Sequence, residues 1–356
     1  MNSNFWKNRK VFLTGHTGFK GGWTALWLTT MGAKVFGYSL EPSTKPSFFS
    51  STNLEKKISR SFIGNINNLK MLKKAISISS PSIIIHMAAQ SLVRESYNRP
   101  FETFMTNVMG TANIFEATRL SKSVEAIINI TSDKCYENNE LSIPFKENDK
   151  LGGYDPYSSS KACSELVTSA YRSSFFSSSK IKVATARAGN VIGGGDWSKE
   201  RLIPDFFKFF FSNKVLKVRY PNAIRPWQHV LEPISGYLIL AEKLVLNKEN
   251  YSEAWNFGPD ENENFYSVSE ILQYLSSKCV GARTEFDISE KLYESKFLKL
   301  DSSKSRTRLA WKSLWDVETT LNKTLHWYKA WKNNEDTMSI SISQIKDYET
   351  DLKNIK

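Results

Sequence analysis

Short apolar runs alternate with stretches of helical spacing through the first half of the chain. Lys10-Val11-Phe12-Leu13 predicts a first strand, and apolar residues then recur at Trp23, Leu26, Trp27 and Met31 with the spacing of one helix face. Ala33 to Tyr38 predicts a second strand, and Phe62 to Ile66 a third strand with its turn. Ile83-Ile84-Ile85-His86 predicts a fourth strand, which runs into the small residues Ala88 and Ala89. A helical segment containing Asn107, Gly110 and Thr111 comes next, and then Ala126 to Ile130 as a short buried strand. Ile181 to Ala186 reads as a further apolar strand. This order predicts an α/β fold, a doubly wound parallel sheet with right-handed crossovers.

Between the first strand and its helix stands Thr14-Gly15-His16-Thr17-Gly18-Phe19-Lys20-Gly21. Glycines at 15, 18 and 21 fit a turn whose bare backbone approaches a pyrophosphate at the helix N-terminus. A plain tight turn would also use glycine, but strand, turn and helix arrive here in the order a dinucleotide needs. The second strand ends at Ser39, where an acid for the adenosine ribose is usual, and Glu41 lies two residues later. Without that acid, and with Lys45 nearby, the choice between NAD and NADP stays open. Asn65 suits either the adenine edge or a turn, with equal weight on each.

The chemistry gathers after Ile130. A hydroxyl, a carboxyl and an amine follow at once, as Ser132, Asp133 and Lys134, with Tyr157 and Lys161 further on. The residue before Pro156 is biased to extended backbone, so a helix opens there. On it, positions four apart share a face, about 5–6 Å from Cβ to Cβ. A lysine beside a tyrosine favours the phenolate, so a phenol of reference pKa about 10 can act as a base near neutral pH. Ser132 can hydrogen-bond the same substrate hydroxyl. Alone, a Tyr-x-x-x-Lys pair is a surface helix pair; the glycine turn upstream makes it chemistry.

Composition narrows the field. A chain of 356 residues can bury a large core and predicts two lobes. Its three cysteines, Cys135, Cys163 and Cys279, form neither a metal cluster nor a disulfide framework, which suits a reducing compartment. The N-terminus lacks the apolar core of a signal peptide, and no apolar run reaches about 18 residues, so a soluble cytoplasmic protein is expected. The net charge of +12 is spread along the chain without a dense basic block, which argues against nucleic acid. An anionic substrate and a dinucleotide would use only a few of these charges.

The stretches TGHTGFKG, HMAAQSLVRESYNRP, TNVMGT, TSDKCYEN, GGYDPYSSSK, RAGNVIGGGDW, RLIPD and RPWQHVLEP together resemble the extended short-chain dehydrogenase/reductase superfamily. Within it they are most similar to the CDP-glucose 4,6-dehydratases, from about residue 8 to about residue 331. The glycine turn and the Tyr-Lys pair mark the superfamily, whereas TSDK with GGGDW and RPWQHV is much more specific. Related dTDP-glucose and GDP-mannose dehydratases carry acidic residues where this chain has Asp133-Lys134. Departures from the pattern are Ser91 for a usual proline, Gly22 beside Gly21, and Tyr293 for a histidine before Glu294.

The resemblance implies a Rossmann-type, NAD-binding domain over residues 1–187 with a returning segment at about 226–258, where Trp255 to Phe257 would be its last strand. Residues 188–225 and 259–332 would form a smaller C-terminal α/β substrate lobe, and 333–356 a polar tail without chemistry. The aromatics Trp327, Tyr328 and Trp331 are expected in the core of that lobe. NAD would be held by Gly15, Thr17, Gly18, Phe19, Gly21, Ser39, Asn65, Ile66, Ala88, Ala89, Gln90, Asn107, Tyr157 and Lys161. CDP-glucose would be held by Arg94, Asn190, Arg201, Leu202, Pro204, Arg225 and Glu294. Arg225, beside Pro226 and Trp227, suits the diphosphate because a guanidinium fork matches phosphate oxygens. His229 is expected to make structural hydrogen bonds.

The implied reaction is dehydration to CDP-4-keto-6-deoxy-D-glucose by internal hydride transfer. Tyr157, aided by Lys161 and Ser132, takes the proton of the 4-hydroxyl as hydride leaves carbon 4. The 4-ketone acidifies carbon 5, and Asp133 as acid with Lys134 as base remove water. That requires a protonated aspartic acid and a neutral lysine, which burial favours and their mutual attraction opposes. Lys134 has a second reading, as a cation that steadies the enolate. Two rival functions share the fold: a nucleotide-sugar 4-epimerase, which would not need Asp133-Lys134, and a non-enzymatic nucleotide-sensing scaffold. The resemblance also implies a homodimer formed through the helix that carries Tyr157.

Overall fold

The computed structural model describes residues 2–138, 143–247, 251–259, 266–287 and 298–354. Seven parallel strands form the central sheet: β1 (Lys10–Thr14), β2 (Lys34–Ser39), β3 (Arg60–Ile63), β4 (Ile83–His86), β5 (Ala126–Ile130), β6 (Lys182–Ala188) and β7 (Ala254–Phe257). Their order across the sheet is β7-β6-β5-β4-β1-β2-β3, doubly wound as the pattern predicts. β4, β5 and β6 are buried at every position, as strands covered on both faces must be. Side chains alternate between two cores. Val11, Leu13, Ile83, Ile85 and Ile128 point into one, and Phe12, Ile84 and Ile127 into the other.

Seven longer helices matter here: α1 (Phe19–Thr30), α2 (Gly110–Thr118), α3 (Pro156–Tyr171), α4 (Leu202–Phe211), α5 (Leu231–Asn247), α6 (Val317–Lys332) and α7 (Thr337–Asn354). α4 lies on a small parallel pair, Val215–Arg219 with Arg283–Asp287, which stands apart from the main sheet. The expected last strand is present as β7, paired with β6 at the sheet edge.

α3 is unusual in its buried face. Ser160, Lys161, Ser164, Glu165 and Thr168 are all buried, and their partners are polar groups of the sheet strands and the residues that follow them, of α2, and of Asn107 just before α2. Asn129 of β5 donates to Ser164 and Thr168 at 3.0 and 2.9 Å, and Thr111 of α2 lies 2.9 Å from Ser164 Oγ. Glu165 accepts from Thr131 at 2.5 Å, from Thr185 at 2.8 Å, and from Arg187 Nε and Nη2 at 2.9 and 2.8 Å. Burial pushes the Glu165 carboxyl up, but Arg187 overcomes it and the group lies below the usual range. The same guanidinium donates to Tyr136 Oη at 2.8 Å and to the Glu147 carbonyl at 3.0 Å.

Residues 333–356 were expected as a polar tail, and the structure corrects this. α7 packs on α1 and α6, burying Thr337, Ser341, Gln344, Ile345 and Tyr348 at helical spacing. Most of that face is polar and is satisfied by specific partners. Ser341 Oγ accepts from Trp327 Nε1 at 2.9 Å, Tyr348 donates to Glu232 at 2.6 Å, and Trp27 Nε1 of α1 donates to Glu349 at 2.8 Å. Met338, Ile342, Ile345 and Tyr348 also recur at helical spacing and pack on the core, a stripe that the polar residues around it masked. Trp327 and Tyr328 lie in the core, as expected.

The buried Glu165–Arg187 pair yields a stability test. Arg187→Met leaves an uncompensated buried carboxylate, so urea unfolding should show a loss of roughly 3–5 kcal/mol. Adding Glu165→Leu should recover most of that loss, because no orphaned charge then remains. A single variant as stable as the parent would show that the pair does not hold α3 to the sheet.

Candidate active site

The glycine turn is built by close approach. Gly15 has φ +78° and donates to the Tyr38 carbonyl at 2.9 Å, and a Cβ on it would lie 2.9 Å from the Ala88 amide. A Cβ on Gly21 would stand 2.1 Å from the Gly15 carbonyl oxygen, so the first turn of α1 rests directly on the loop. Gly18 caps α1 in extended backbone, and the helix N-terminus opens into a cavity of about 660 Å³. Thr17 Oγ1 ties the loop to the end of β2, 2.8 Å from Ser39 Oγ and 2.9 Å from the Leu40 carbonyl. Bare backbone, a helix N-terminus and small Ala88 and Ala89 opposite it fit a dinucleotide diphosphate.

Most of the predicted residues line this one cavity. Gly15, Thr17, Gly18, Phe19, Gly21, Ser39, Asn65, Ile66, Ala88 and Ala89 form its dinucleotide half. Ser132, Asp133, Lys134, Tyr157 and Lys161 line it too, as do Arg94, Asn190, Arg201, Leu202, Pro204 and Arg225. Two expected ligand residues lie behind the wall. Asn107 gives its amide to the Gln90 carbonyl at 2.9 Å and to Ser160 Oγ at 2.8 Å, and its Oδ1 accepts from the Gln90 amide at 2.9 Å. Gln90 spends its side chain on Leu92 and Thr103, so Asn107 braces α3 and Gln90 its own loop, and neither lines the cavity. Asn65 Oδ1 accepts from Asn67 N at 2.9 Å, which is the turn role. Glu294 and Tyr293 lie outside the described residues.

α3 enters the site in the way its sequence implies. Asp155 caps it, accepting from Ser158 N at 2.9 Å and from Ser158 Oγ at 2.6 Å, and Pro156 takes the first helical position. Ser96 Oγ accepts from the Tyr157 amide at 3.1 Å. Lys161 Nζ donates to the Ile130 carbonyl at 3.2 Å, and burial lowers it to about 8. Ser132 Oγ donates to Asp133 Oδ1 at 2.9 Å and accepts from Lys134 N at 3.2 Å. Burial pushes the Asp133 carboxyl up, against the pull of Lys134 and of the Ser132 bond. Asp133 lies close to the Gly189 backbone, where an added Cβ would meet its Oδ2 at 2.9 Å.

One electrostatic expectation is corrected. Tyr157 is pushed up to about 12, chiefly by burial, and the hydrogen bond from Ser132 offsets only part of this. The protein's own charges do not make it a phenolate near neutral pH.

Sequence reasoning missed Lys20, which occupies a variable position of the glycine turn. It lines the cavity, donates to Tyr237 Oη at 3.4 Å, and is lowered to about 7 by burial and by the charges of Arg201 and Lys161. Its place one residue before Gly21, on the first turn of α1, was the available signal. Arg201 bridges Asp196 at 3.0 Å and Ser91 at 3.2 Å, so the serine that replaces a usual proline has a partner. Of the glycine run, Gly193 and Gly195 reach the cavity, whereas Gly194 is packed on Trp327. His229 accepts from Leu231 N at 3.3 Å between the rings of Trp23 and Trp315, a structural placement. Among the described residues no group of three His, Cys, Asp or Glu can hold a metal, and no helix is long and apolar enough to cross a membrane.

Comparison with known proteins places this geometry among relatives. The family model described as GDP-mannose 4,6 dehydratase matches residues 12–324. A CDP-glucose 4,6-dehydratase of Salmonella typhimurium is 45% identical over 98% of both chains. A dTDP-glucose 4,6-dehydratase from Streptomyces venezuelae, solved with NAD bound, superposes with a TM-score of 0.78 at 20% identity, covering 92% of this chain and 99% of that one. An epimerase from Methanothermobacter thermautotrophicus gives 0.79 at 20% identity, over 93% and 96% of the two chains.

The turn itself can be tested. Gly21→Ala places a methyl against backbone that no side-chain rotation can relieve, so the loop must open. Calorimetric titration should show dinucleotide affinity falling by about tenfold or more, which is about 1.4 kcal/mol, while circular dichroism stays unchanged. Gly18→Ala, whose Cβ meets one atom at 3.3 Å, should lose less. Equal, small losses in both would remove the diphosphate from this turn.

Proposed function

This chain belongs to the GDP-mannose 4,6-dehydratase family of nucleotide-sugar enzymes, and from that premise we propose that it converts CDP-D-glucose to CDP-4-keto-6-deoxy-D-glucose. The observation that carries this reading is Ser132, Asp133, Lys134, Tyr157 and Lys161 converging on one cavity beside a dinucleotide turn. The 45% identity to a CDP-glucose 4,6-dehydratase supports the choice of nucleotide. NAD held in this cavity would supply a reversible hydride acceptor, so that the conversion needs no second redox substrate. Gly15, Gly18 and Gly21 would hold its diphosphate, with Ser39 and Thr17 toward the ribose.

The protein's groups do the proton chemistry. Tyr157 takes the proton of the 4-hydroxyl, with Ser132 lining the same cavity and Lys161 fixed on the Ile130 carbonyl. The ketone formed at carbon 4 acidifies carbon 5, and Lys134 removes that proton. Asp133 gives a proton to the departing 6-hydroxyl, which leaves as water. Lys134 then returns its proton to carbon 5. Arg225 and Arg201 would bind the sugar diphosphate, with Asn190 and Arg94 toward the sugar. An epimerase would leave the Asp133-Lys134 pair without work.

We divide the chain at residue 187, with 226–258 returning to the sheet and the substrate lobe built around α4. A homodimer through α3 in the cytoplasm completes the proposal. Exposed Leu166 on that helix and Phe101 nearby, 57% and 73% accessible, support such a face.

Incubation with CDP-glucose and NAD should give a sugar nucleotide lighter by one water, with the alkaline absorbance of an enolised 4-ketone. Lys134→Met should still oxidise carbon 4 but stall before water loss, with little solvent deuterium entering carbon 5. Should that variant exchange carbon 5 at the parent rate, Lys134 is the enolate's counter-charge and not the base. Turnover of another glucose nucleotide in place of CDP-glucose would overturn the substrate assignment.

A further inference from the structure

Resting on that reading, we propose that Tyr136 is a positioning residue for water loss, tying the Asp133-Lys134 turn to the substrate-lobe segment 298–302. The reactive turn is held differently at its two ends. At the front, Thr131 Oγ1 donates to Glu165 at 2.5 Å and its amide donates to the Ala186 carbonyl at 3.0 Å. Ser132 is therefore set by the same clamp that fixes α3 with Tyr157 and Lys161. At the back, the Cys135 carbonyl accepts from Gly152 N at 2.9 Å, and Tyr136 bridges to Leu151. Tyr136 Oη donates to Asn256 Oδ1 of β7 at 2.7 Å and accepts from Arg187 Nη1 at 2.8 Å. Asp133 and Lys134 lie between these two anchors, and Lys134 is the nearer of the two to the second.

Cys135, Tyr136 and Leu300 form a small third core with Phe145 and Leu151, separate from the two cores of the sheet. The Tyr136 ring stacks on Phe145, 4.9 Å between centroids and 8° from parallel. Phe145 in turn donates its amide to the Lys299 carbonyl and accepts from Asp301 N, both at 2.9 Å. Asn256 closes the circuit, its Nδ2 donating to the carbonyls of Phe145 at 2.9 Å and Asp301 at 3.2 Å. Leu298, two residues before Leu300, lines the cavity. A nucleotide seated against Leu298 thus bears on a segment joined by a ring and a hydroxyl to the reactive turn. Tyr136 does no proton chemistry of its own, since it is 1% accessible and its proton is spent on Asn256.

The two anchors divide between the two chemical steps. Oxidation at carbon 4 uses Ser132, Tyr157 and Lys161, all on the Glu165 side. Water loss uses Lys134, whose aim at carbon 5 depends on the Tyr136 side. A displacement of about 1 Å at a reacting group costs about 100-fold in rate. Freeing the second anchor therefore stalls water loss and spares oxidation.

Tyr136→Phe keeps the ring and its stack but removes Oη, while Arg187 keeps Glu165 and the Glu147 carbonyl. In single turnovers with CDP-glucose and NAD, this variant should oxidise carbon 4 at close to the parent rate. Water loss and solvent deuterium entry at carbon 5 should both fall by about 100-fold, with 4-ketoglucose nucleotide accumulating. Phe145→Leu, which removes the stack and no hydrogen bond, should stall the same step. Combined with Lys134→Met, Tyr136→Phe should add no further loss, because it acts through that lysine. A tyrosine that only stabilises the fold would slow both steps alike and would add to Lys134→Met; either result overturns the proposal. A parent protein that leaves CDP-glucose unchanged overturns the functional reading, and this proposal with it.

Discussion

The buried pair of Glu165 and Arg187 fixes the geometry on which the site depends. α3 meets the sheet through serine, threonine, lysine and glutamate, a surface with little directional hydrophobic drive. Its rotation is set by hydrogen bonds, and Glu165 collects four of them from Thr131, Thr185 and Arg187. Thr131 adjoins Ser132, so the bond that orients the helix also holds the start of the Ser132-Asp133-Lys134 turn. Tyr157, two turns earlier on α3, is brought over that turn as a consequence. A buried charge pair adds little net stability, but breaking it leaves an orphaned charge, which makes it a strong constraint on alternative packings.

A second chain of contacts positions the dinucleotide half. α1 begins at the glycine turn and is held from behind by α7, through Trp27 and Glu349, and from the side by Trp23 donating to the Gly194 carbonyl at 2.9 Å. Gly194 in turn lies under Trp327 of α6. The loop entering the substrate half and the helix bearing the dinucleotide turn thus share one aromatic core. Lys20 sits on α1 where these halves meet, close enough to Asp133 and Lys161 for their charges to be felt.

Much of this was legible in the sequence because it depends on local patterns. Apolar runs gave the strands, the glycines at 15, 18 and 21 gave the turn, and Pro156 gave the start of α3. The reactive residues were readable as types at set spacings. What stayed hidden depends on partners far along the chain. Asn107 and Gln90 have the chemistry of ligands, and only the fold reveals that they satisfy each other and Ser160. α7 mixes a short apolar stripe, Met338, Ile342, Ile345 and Tyr348, with buried polar residues whose partners lie far along the chain, so its docking was not announced by composition. The Tyr157 phenol is pushed up by its desolvation, which is a property of the packed site and not of its neighbours in sequence.

The central claim is that one bound sugar surrenders hydrogen at carbon 4 and receives it back at carbon 6 while water departs. CDP-glucose carrying deuterium at carbon 4, mixed with an equal amount of carbon-13-labelled, undeuterated substrate, tests this directly by mass spectrometry and NMR of the product. Deuterium should appear at carbon 6 only, and only in molecules without carbon-13. Deuterium kept at carbon 4, lost to solvent, or found in carbon-13 molecules would contradict internal transfer within a single closed site.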